Sequence, residues 1–394
     1  MFIEKAVREG AAPAAGSPEK MLSVCFVAPH VWPVFSGDPR IKVVGGAEVQ
    51  QATIARLLAA DGFRVSMVTL DYGQPDGVVI DGVTVYKAFA PHAGLPVLRF
   101  LHPRMSSMLR AMRAADADIY YYRSTAMWAG VMAEFARRRG RRSIYAGASD
   151  RDFAPDIGGQ IRYARDRWLF RHAMRTVDAV VVQNLQQQAA CRATFGRDST
   201  YIPSCYKLPE GSRPRRENDA DGPVLWVGTI QPHKRPELLL ELARRLPQRR
   251  FVMIGGPMPS HGELYESIRR QAAALPNLEI KGFLPLAEVE PWFDRARVHV
   301  LTSRFEGMPN VFLQAWARGV PTVASIDVGA RLDGEPVYPA FDDLDAFAAH
   351  VEKLFQDEDL WKASSNRCRG YFERNHSPAE VRARYSSLLH ELVR

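Results

Sequence analysis

Short apolar runs alternate along the chain with longer stretches whose apolar positions recur at helical spacing. The first run is VCFVAP (24–29), and it ends at Pro29. A long polar loop then leads to GGAEVQQATIARLLAADG (45–62). Its positions Val49, Ile54, Leu57 and Leu58 recur as one helix face does, and Gly62 supplies a C-terminal stop. RVSMVTL (64–70), VTVYKAF (83–89), DIYYYRS (118–124), RSIYAGAS (142–149) and DAVVVQN (178–184) read as further strands. Helical patterns lie between most of them. Alternation of this kind predicts a parallel sheet covered on both faces.

The stretch KLPEGSRPRRENDADG (207–222) is polar, charged and rich in Pro and Gly, and reads as a linker. The alternation then restarts with PVLWVGT, PELLLELARRLP, RFVMIGG, LEIKGF, VHVLTS, NVFLQAWARG and PTVAS. It closes with helical stretches near 343–374 and 378–393. The fold class expected is α/β, with two doubly wound, Rossmann-like domains at 21–206 and 223–377 facing across a cleft. Residues 1–20 read as a flexible extension. Ligands of such sheets bind at the carboxyl ends of the strands, so the natural site is the cleft.

Composition narrows the class. The 394 residues are 46% hydrophobic and 24% charged, which excludes wholesale disorder. No run of 18 apolar residues occurs, and the first 20 residues lack the apolar centre of a signal peptide. Cys25, Cys191, Cys205 and Cys368 lie far apart with no CxxC. That argues against a zinc or disulfide framework and for a reducing, cytoplasmic setting.

The net charge of +8 is unevenly placed. Residues 1–205 hold 26 basic and 18 acidic groups, whereas 206–394 hold 26 of each. Within the first half, 99–175 carries 16 basic and 7 acidic residues. Two segments concentrate the excess, LRFLHPRMSSMLRAMR (98–113) and RYARDRWLFRHAMR (162–175). Arginines interleaved with Leu, Phe, Trp and Met suit an anionic membrane surface met from the cytoplasmic side. The plain alternative is an ordinary helix with Arg on its wet side and Met in the core. No recognition motif accompanies the charge, so nucleic acid is not an expected partner.

Three constellations carry chemistry. In LTSRFEGMPNVFLQAWARGVPTVAS (301–325) a strand ends at Ser303, Glu306 and Gly307 occupy a tight turn, and Pro309 suits the first helical position. Amides around Gly307, Met308, Pro309 and Asn310 then leave a helix start, with Gln314 one turn beyond Asn310. A carboxylate, a positive helix end and an amide fit the hydroxyls, diphosphate and ribose of a nucleotide sugar. In VLWVGTIQPHKRPELLLELARRL (224–246) a strand ends at Gly228 and Thr229, and Lys234 stands before a helix begun by Pro236. A cation there neutralises a leaving diphosphate without metal. In GGAEVQ (45–50), Gly45 and Gly46 allow close backbone approach to a phosphate or sugar. No GxGxxG occurs, which weighs against nicotinamide chemistry.

Together these segments resemble family 4 retaining glycosyltransferases of the GT-B fold, over roughly residues 21–394. GGAEVQ, VGTIQPHKRPE, IKGFLP (280–285) and SRFEGMPNVFLQAWARGVP fall in that family's order and spacing. The resemblance implies that Glu306 holds donor-sugar hydroxyls and that Gly307 to Asn310 reach phosphate and sugar. It implies that Lys234 meets the diphosphate, that Gly45 and Gly46 form the first-domain glycine loop, and that Phe283 and Leu284 lie beside the nucleobase. It also implies that 378–394 crosses back onto the first domain. Three positions depart from the family pattern. The second Glu of its Glu-x7-Glu motif is Gln314, a neutral and weaker acceptor. The arginine after the strand glycine is Thr229, for which Arg235 is a possible substitute. No His stands at Ser149–Asp150.

The expected reaction is metal-independent transfer of a sugar from a nucleotide sugar to a lipid-linked or glycan acceptor. Glu306 and Lys234 act on the donor, and Asp150 orients the acceptor or merely caps a loop. No cofactor is expected beyond the donor substrate, whose nucleobase the sequence leaves open. Asp150-Arg151-Asp152 also fits the DxD pattern of metal-dependent transferases. The same pattern recurs at 116–118 and 219–221, and the His and Cys residues form no ligand spacing. A sugar-nucleotide epimerase of the same fold and a non-catalytic sugar-nucleotide binder are the alternatives.

Overall fold

The computed structural model describes residues 21–37, 45–94, 100–156, 161–212, 221–258 and 260–394. The N-terminal extension, residues 98–99 of the basic segment and 213–220 of the linker lie outside the described residues. Two sheets organise the rest. The first contains β1 (Ser23–Val27), β2 (Arg64–Thr69), β3 (Val78–Ile80), β4 (Val83–Lys87), β5 (Ile119–Arg123), β6 (Arg142–Ala146), β7 (Ala179–Val182) and β8 (Thr200–Tyr201). Its order is β3-β4-β2-β1-β5-β6-β7-β8, and every pair is parallel except β3 with β4. Strands β1 and β5 are buried at every position, because helices cover both faces. Tyr121 packs on Phe26 on one face, while Tyr120 meets Phe135 on the other.

Strand β3 extends the pattern read from the sequence. Asp81 and Gly82 both take positive φ, 51° and 78°, as a two-residue hairpin turn between β-branched runs requires. The second sheet contains β9 (Val224–Val227), β10 (Phe251–Ile254), β11 (Leu278–Gly282), β12 (Val298–Leu301) and β13 (Thr322–Ala324). Its order is β11-β10-β9-β12-β13, all parallel, so the strand order reverses between β9 and β12. The carboxyl ends of those two strands frame a crevice. Trp226 ties them together by donating from Nε1 to Thr302 Oγ1 at 2.9 Å. The exits of β9 and β10 also approach closely. A Cβ on Gly255, at φ 155°, would stand 1.7 Å from the Gly228 carbonyl oxygen.

The chain crosses between the halves twice. Residues 204–206 lead out, and 376–377 lead back. The crossings bond to each other: buried His376 donates from Nδ1 to the Ser204 carbonyl at 2.7 Å, and Tyr206 N donates to the His376 carbonyl at 3.3 Å. Burial holds the His376 ring near a pKa of about 4, so it stays neutral. The returning helix, Pro378–Val393, starts on a Ser377 cap and a first-turn proline. It places Val381, Tyr385, Leu388 and Leu389 in the core of the first half.

Two helix starts differ from the sequence reading by one residue. The helices run Asn310–Trp316 and Glu237–Arg245, so Pro309 and Pro236 occupy the cap positions rather than the first helical ones.

Candidate functional site

Lys234 and Glu306 meet at the crevice between β9 and β12. Lys234 ends a single tight turn, Pro232–Lys234, and its Nζ ion-pairs with Glu306 Oε1. Ser303 Oγ donates to the same oxygen at 2.7 Å. Thr302 Oγ1 donates to the Lys234 carbonyl at 2.6 Å, which fixes the turn. Both charged side chains keep a minor exposure, 19% and 15%, so the pair faces the cleft.

Arg235 does not substitute for the missing arginine at Thr229. It sits at φ 48°, and its Nε donates to the Thr302 carbonyl at 2.7 Å while Nη2 reaches Ser303 O at 3.3 Å. The guanidinium therefore caps the end of β12. Thr229 Oγ1 accepts from Gln231 Nε2 at 2.7 Å. Its neighbour Gly228 closes the strand with N–H bonded to Ile254 O.

Asp150 reaches this cleft from the first half. Ser149 caps the short turn Asp150–Phe153, and Asp152 folds back to accept from Ala148 N at 2.7 Å. Asp152 is thus absorbed by its own loop. Asp150 Oδ1 accepts from Gln187 Nε2 at 2.9 Å and from Asn184 Nδ2 at 3.2 Å. Burial raises its pKa; those two donors oppose the shift, and nearby Glu306 adds to it. The two carboxylates of the DxD pattern point to different tasks. Among the described residues no group of three or more His, Cys, Asp or Glu is arranged to hold a metal ion.

Asp150, Phe305 and Glu306 line a cavity of about 620 Å³, floored by Ser325–Val328 and Tyr338. Phe305 is a bridge across the cleft. His233 stacks on one side at 4.9 Å and 10°, and the Arg151 guanidinium lies 5.2 Å from its centroid. Burial and Lys234 depress the His233 pKa, which suits the stack. A second cavity, about 440 Å³, opens at the carboxyl ends of β1 and β5. Glu48, Gln51, Tyr122, Arg123, Ser124 and Trp128 are among its walls. Ser124 takes φ 88°, an uncommon conformation for a residue with a side chain.

The glycine loop joins the same cleft. Asn310 Nδ2 donates to the Gly46 carbonyl at 3.1 Å. Gly45 caps the helix Gly46–Ala60, and the Glu48 carboxylate lies over it, 2.2 Å from where a Cβ would stand. Gly307 packs against the other first-half loop; its Cβ would meet Gln187 Nε2 at 3.1 Å and Ala148 O at 3.2 Å. Met308 turns its side chain into the core, which leaves its backbone at the cleft. Phe283 and Leu284 are half-buried at the far edge of the sheet, where a Cβ on Gly256 would stand 3.0 Å from the Phe283 Cβ.

Gln314 is more constrained than its spacing indicated. It is 6% exposed, and its Nε2 donates to Glu290 Oε1 at 3.0 Å. Glu290 Oε2 accepts from Arg318 Nη2 at 2.8 Å and from Tyr206 OH at 2.5 Å. Burial keeps the Tyr206 phenol protonated. Glu290, Ser303, Gln187 and Gln50 were not identified as site residues from the sequence. Each is an isolated polar residue within an amphipathic stretch or a strand end, and only the fold shows its neighbours.

The first half, residues 45–204, matches the family model described as a glycosyl transferase 4-like domain, and residues 222–357 match glycosyl transferases group 1. The chain belongs to the family 4 glycosyltransferases. Among relatives of this family, a D-inositol 3-phosphate glycosyltransferase of Frankia alni is 38% identical over 135 residues, 31% of this chain and 33% of that protein. The O-antigen biosynthesis glycosyltransferase WbnH of Escherichia coli is 29% identical over 156 residues, 38% of this chain and 42% of that one. Such matches span well under two thirds of the relatives' length. Among solved structures, sucrose-phosphate synthase of Thermosynechococcus elongatus has a TM-score of 0.75 at 16% identity, covering 94% of this chain and 99% of that one. Anabaena Alr3699/HepE, solved with UDP and glucose, has a TM-score of 0.72 at 16% identity, covering 94% and 100%. These likenesses show the GT-B fold.

On the basic surface of this family 4 chain, one helix buries its apolar face while other apolar side chains stay exposed. Met108, Ala111 and Met112 of helix Ser106–Ala115 are buried, with Arg110 and Arg113 outside. Leu101, Tyr163 and Trp168, by contrast, are 66%, 56% and 63% exposed, and the Arg165 guanidinium lies 3.7 Å over Phe100. No helix among the described residues is long and apolar enough to cross a membrane.

Proposed function

We propose that this chain transfers a sugar, with retention and without metal, from a nucleotide sugar to a hydroxyl of a glycan or lipid-linked acceptor. The observation that carries the proposal is the Lys234–Glu306 pair with Ser303, at the point of the second sheet where strand order reverses. A cation and a carboxylate side by side match the two ends of such a donor. Lys234 neutralises the leaving diphosphate, and Glu306 accepts from sugar hydroxyls. The bond from the anomeric carbon to the diphosphate oxygen breaks, and its electron pair leaves with the diphosphate. The sugar passes through an oxocarbenium-like state. The acceptor oxygen bonds to the same face, and its proton passes to the departing phosphate oxygen. Asp150 orients the acceptor from the opposite wall, and the cavity at β1 and β5 receives the rest of it. The UDP and glucose in Alr3699/HepE support a nucleotide-sugar donor.

The exposed Leu101, Tyr163 and Trp168 among arginines support docking on an anionic membrane surface. Thermal stabilisation by UDP, GDP, ADP and their sugar conjugates tests the donor assignment, because a ligand that binds only the folded state raises apparent stability by mass action. One responding nucleotide is the expected result. A flat panel refutes the proposal.

A further inference from the structure

We propose that Gln50 is a positioning residue whose carboxamide clasps the cleft closed. It is 3% exposed at the fifth residue of helix Gly46–Ala60, and it bonds to two other parts of the molecule. Gln50 Oε1 accepts from Cys205 N at 2.8 Å, and Nε2 donates to Cys205 O at 2.7 Å. The amide therefore pairs with the outgoing crossing as a neighbouring strand would. The same Nε2 donates to Asn310 Oδ1 at 2.8 Å, and Asn310 Nδ2 returns a bond to Gly46 O at 3.1 Å. Asn310 directly follows the Glu306–Pro309 loop. One side chain thus joins three elements: the glycine-loop helix, the outgoing crossing between the halves, and the helix start that follows the Glu306 loop.

No other side chain does this with the same geometry. Glutamate in its place presents two acceptors, and one of them faces the Cys205 carbonyl. Asparagine is one methylene too short to hold both Cys205 and Asn310. The amide is also bonded at both Nε2 hydrogens and once at Oε1, three of its four hydrogen-bond sites. Gln50 is buried, so removing a partner leaves one of its polar atoms without a hydrogen bond and costs that atom's desolvation. The halves are therefore held at one separation before any donor arrives.

The closing experiment uses the whole 394-residue chain without nucleotide, so it does not depend on the transferase reading. All four native cysteines are buried, which leaves exposed positions for spin labels. Arg113→Cys in the first half and Glu266→Cys in the second are both on exposed helix surface. Pulsed dipolar spectroscopy should give one narrow distance in the otherwise wild-type chain. Gln50→Ala and Asn310→Ala should each shift it to longer distance and broaden it, and the double variant should add little to either. Asn310→Ala removes only the bonds across the cleft, so it remains informative if Gln50→Ala folds poorly by circular dichroism. An unchanged distribution in a folded Asn310→Ala protein overturns the clasp. If the distribution opens as expected while no nucleotide binds the wild type, the clasp stands and the donor assignment falls.

Discussion

Restoring the family's glutamate at position 314 should harm this protein. In Gln314→Glu an oxygen replaces Nε2 at 3.0 Å from Glu290 Oε1. The donors nearby are already used. Arg318 Nε bonds Asp294, Nη1 bonds Tyr206 and the Gln314 carbonyl, and Nη2 bonds Ser212 and Glu290. Two carboxylates this close in a buried site do not both ionise, so the introduced carboxyl must keep its proton and donate as the amide did. Its unfolded pKa is about 4.3, which makes the cost at pH 7 about 3.7 kcal/mol if ionisation is fully suppressed. The native state then binds more protons than the unfolded state, so stability falls as pH rises above about 4.3. The slope is about 1.4 kcal/mol per pH unit until the folded pKa is passed. Urea unfolding at pH 5, 6 and 7 should show the gap to wild type widening with pH. Gln314→Met leaves Glu290 Oε1 without its donor and should cost about 1–3 kcal/mol with little pH dependence. A glutamate variant as stable as wild type at pH 7 would refute this account of the network.

Lys234→Ala should lower turnover by about 10²-fold or more, as loss of one donor to a developing anion does, once a donor is known. An unchanged rate removes Lys234 from the chemistry. Gly130→Ala should destabilise the first half by about 1–3 kcal/mol in thermal or urea unfolding. Its Cβ would stand 2.1 Å from the Leu169 carbonyl oxygen, where two helices cross backbone to backbone. Vesicles containing anionic lipid should retain the protein at low salt and release it at high salt, and Trp168→Ala with Leu101→Ala should weaken retention. Sedimentation with neutral vesicles is the control, and equal retention on both would refute charge-guided docking.

Most strand positions were legible in the sequence because parallel strands buried on both faces read as continuous apolar runs, as IYYYR and VLWV do. Strand β3 was not read, because three residues are too few for a periodic signal, although Asp81-Gly82 marked its turn. The loops that carry Lys234, Glu306 and Asp150 could be located because each follows a strand end. Glu290 and Gln50 were not, since their partners lie 24 to 260 residues away in the chain. The role of Arg235 was open in the sequence because its φ of 48° decides where the side chain points.

The two crossings make the first half discontinuous in the gene. Its last structural element is encoded after the whole second half, and Val381, Tyr385, Leu388 and Leu389 are part of its interior. A fragment cut at the linker would leave that apolar face open to water and would be a poor soluble protein. Exchange of the second half between relatives is therefore a problem of insertion rather than of tail replacement. A graft bounded near 206 and 376 would keep the recipient's own final helix, and with it the surface that the first half needs in order to fold.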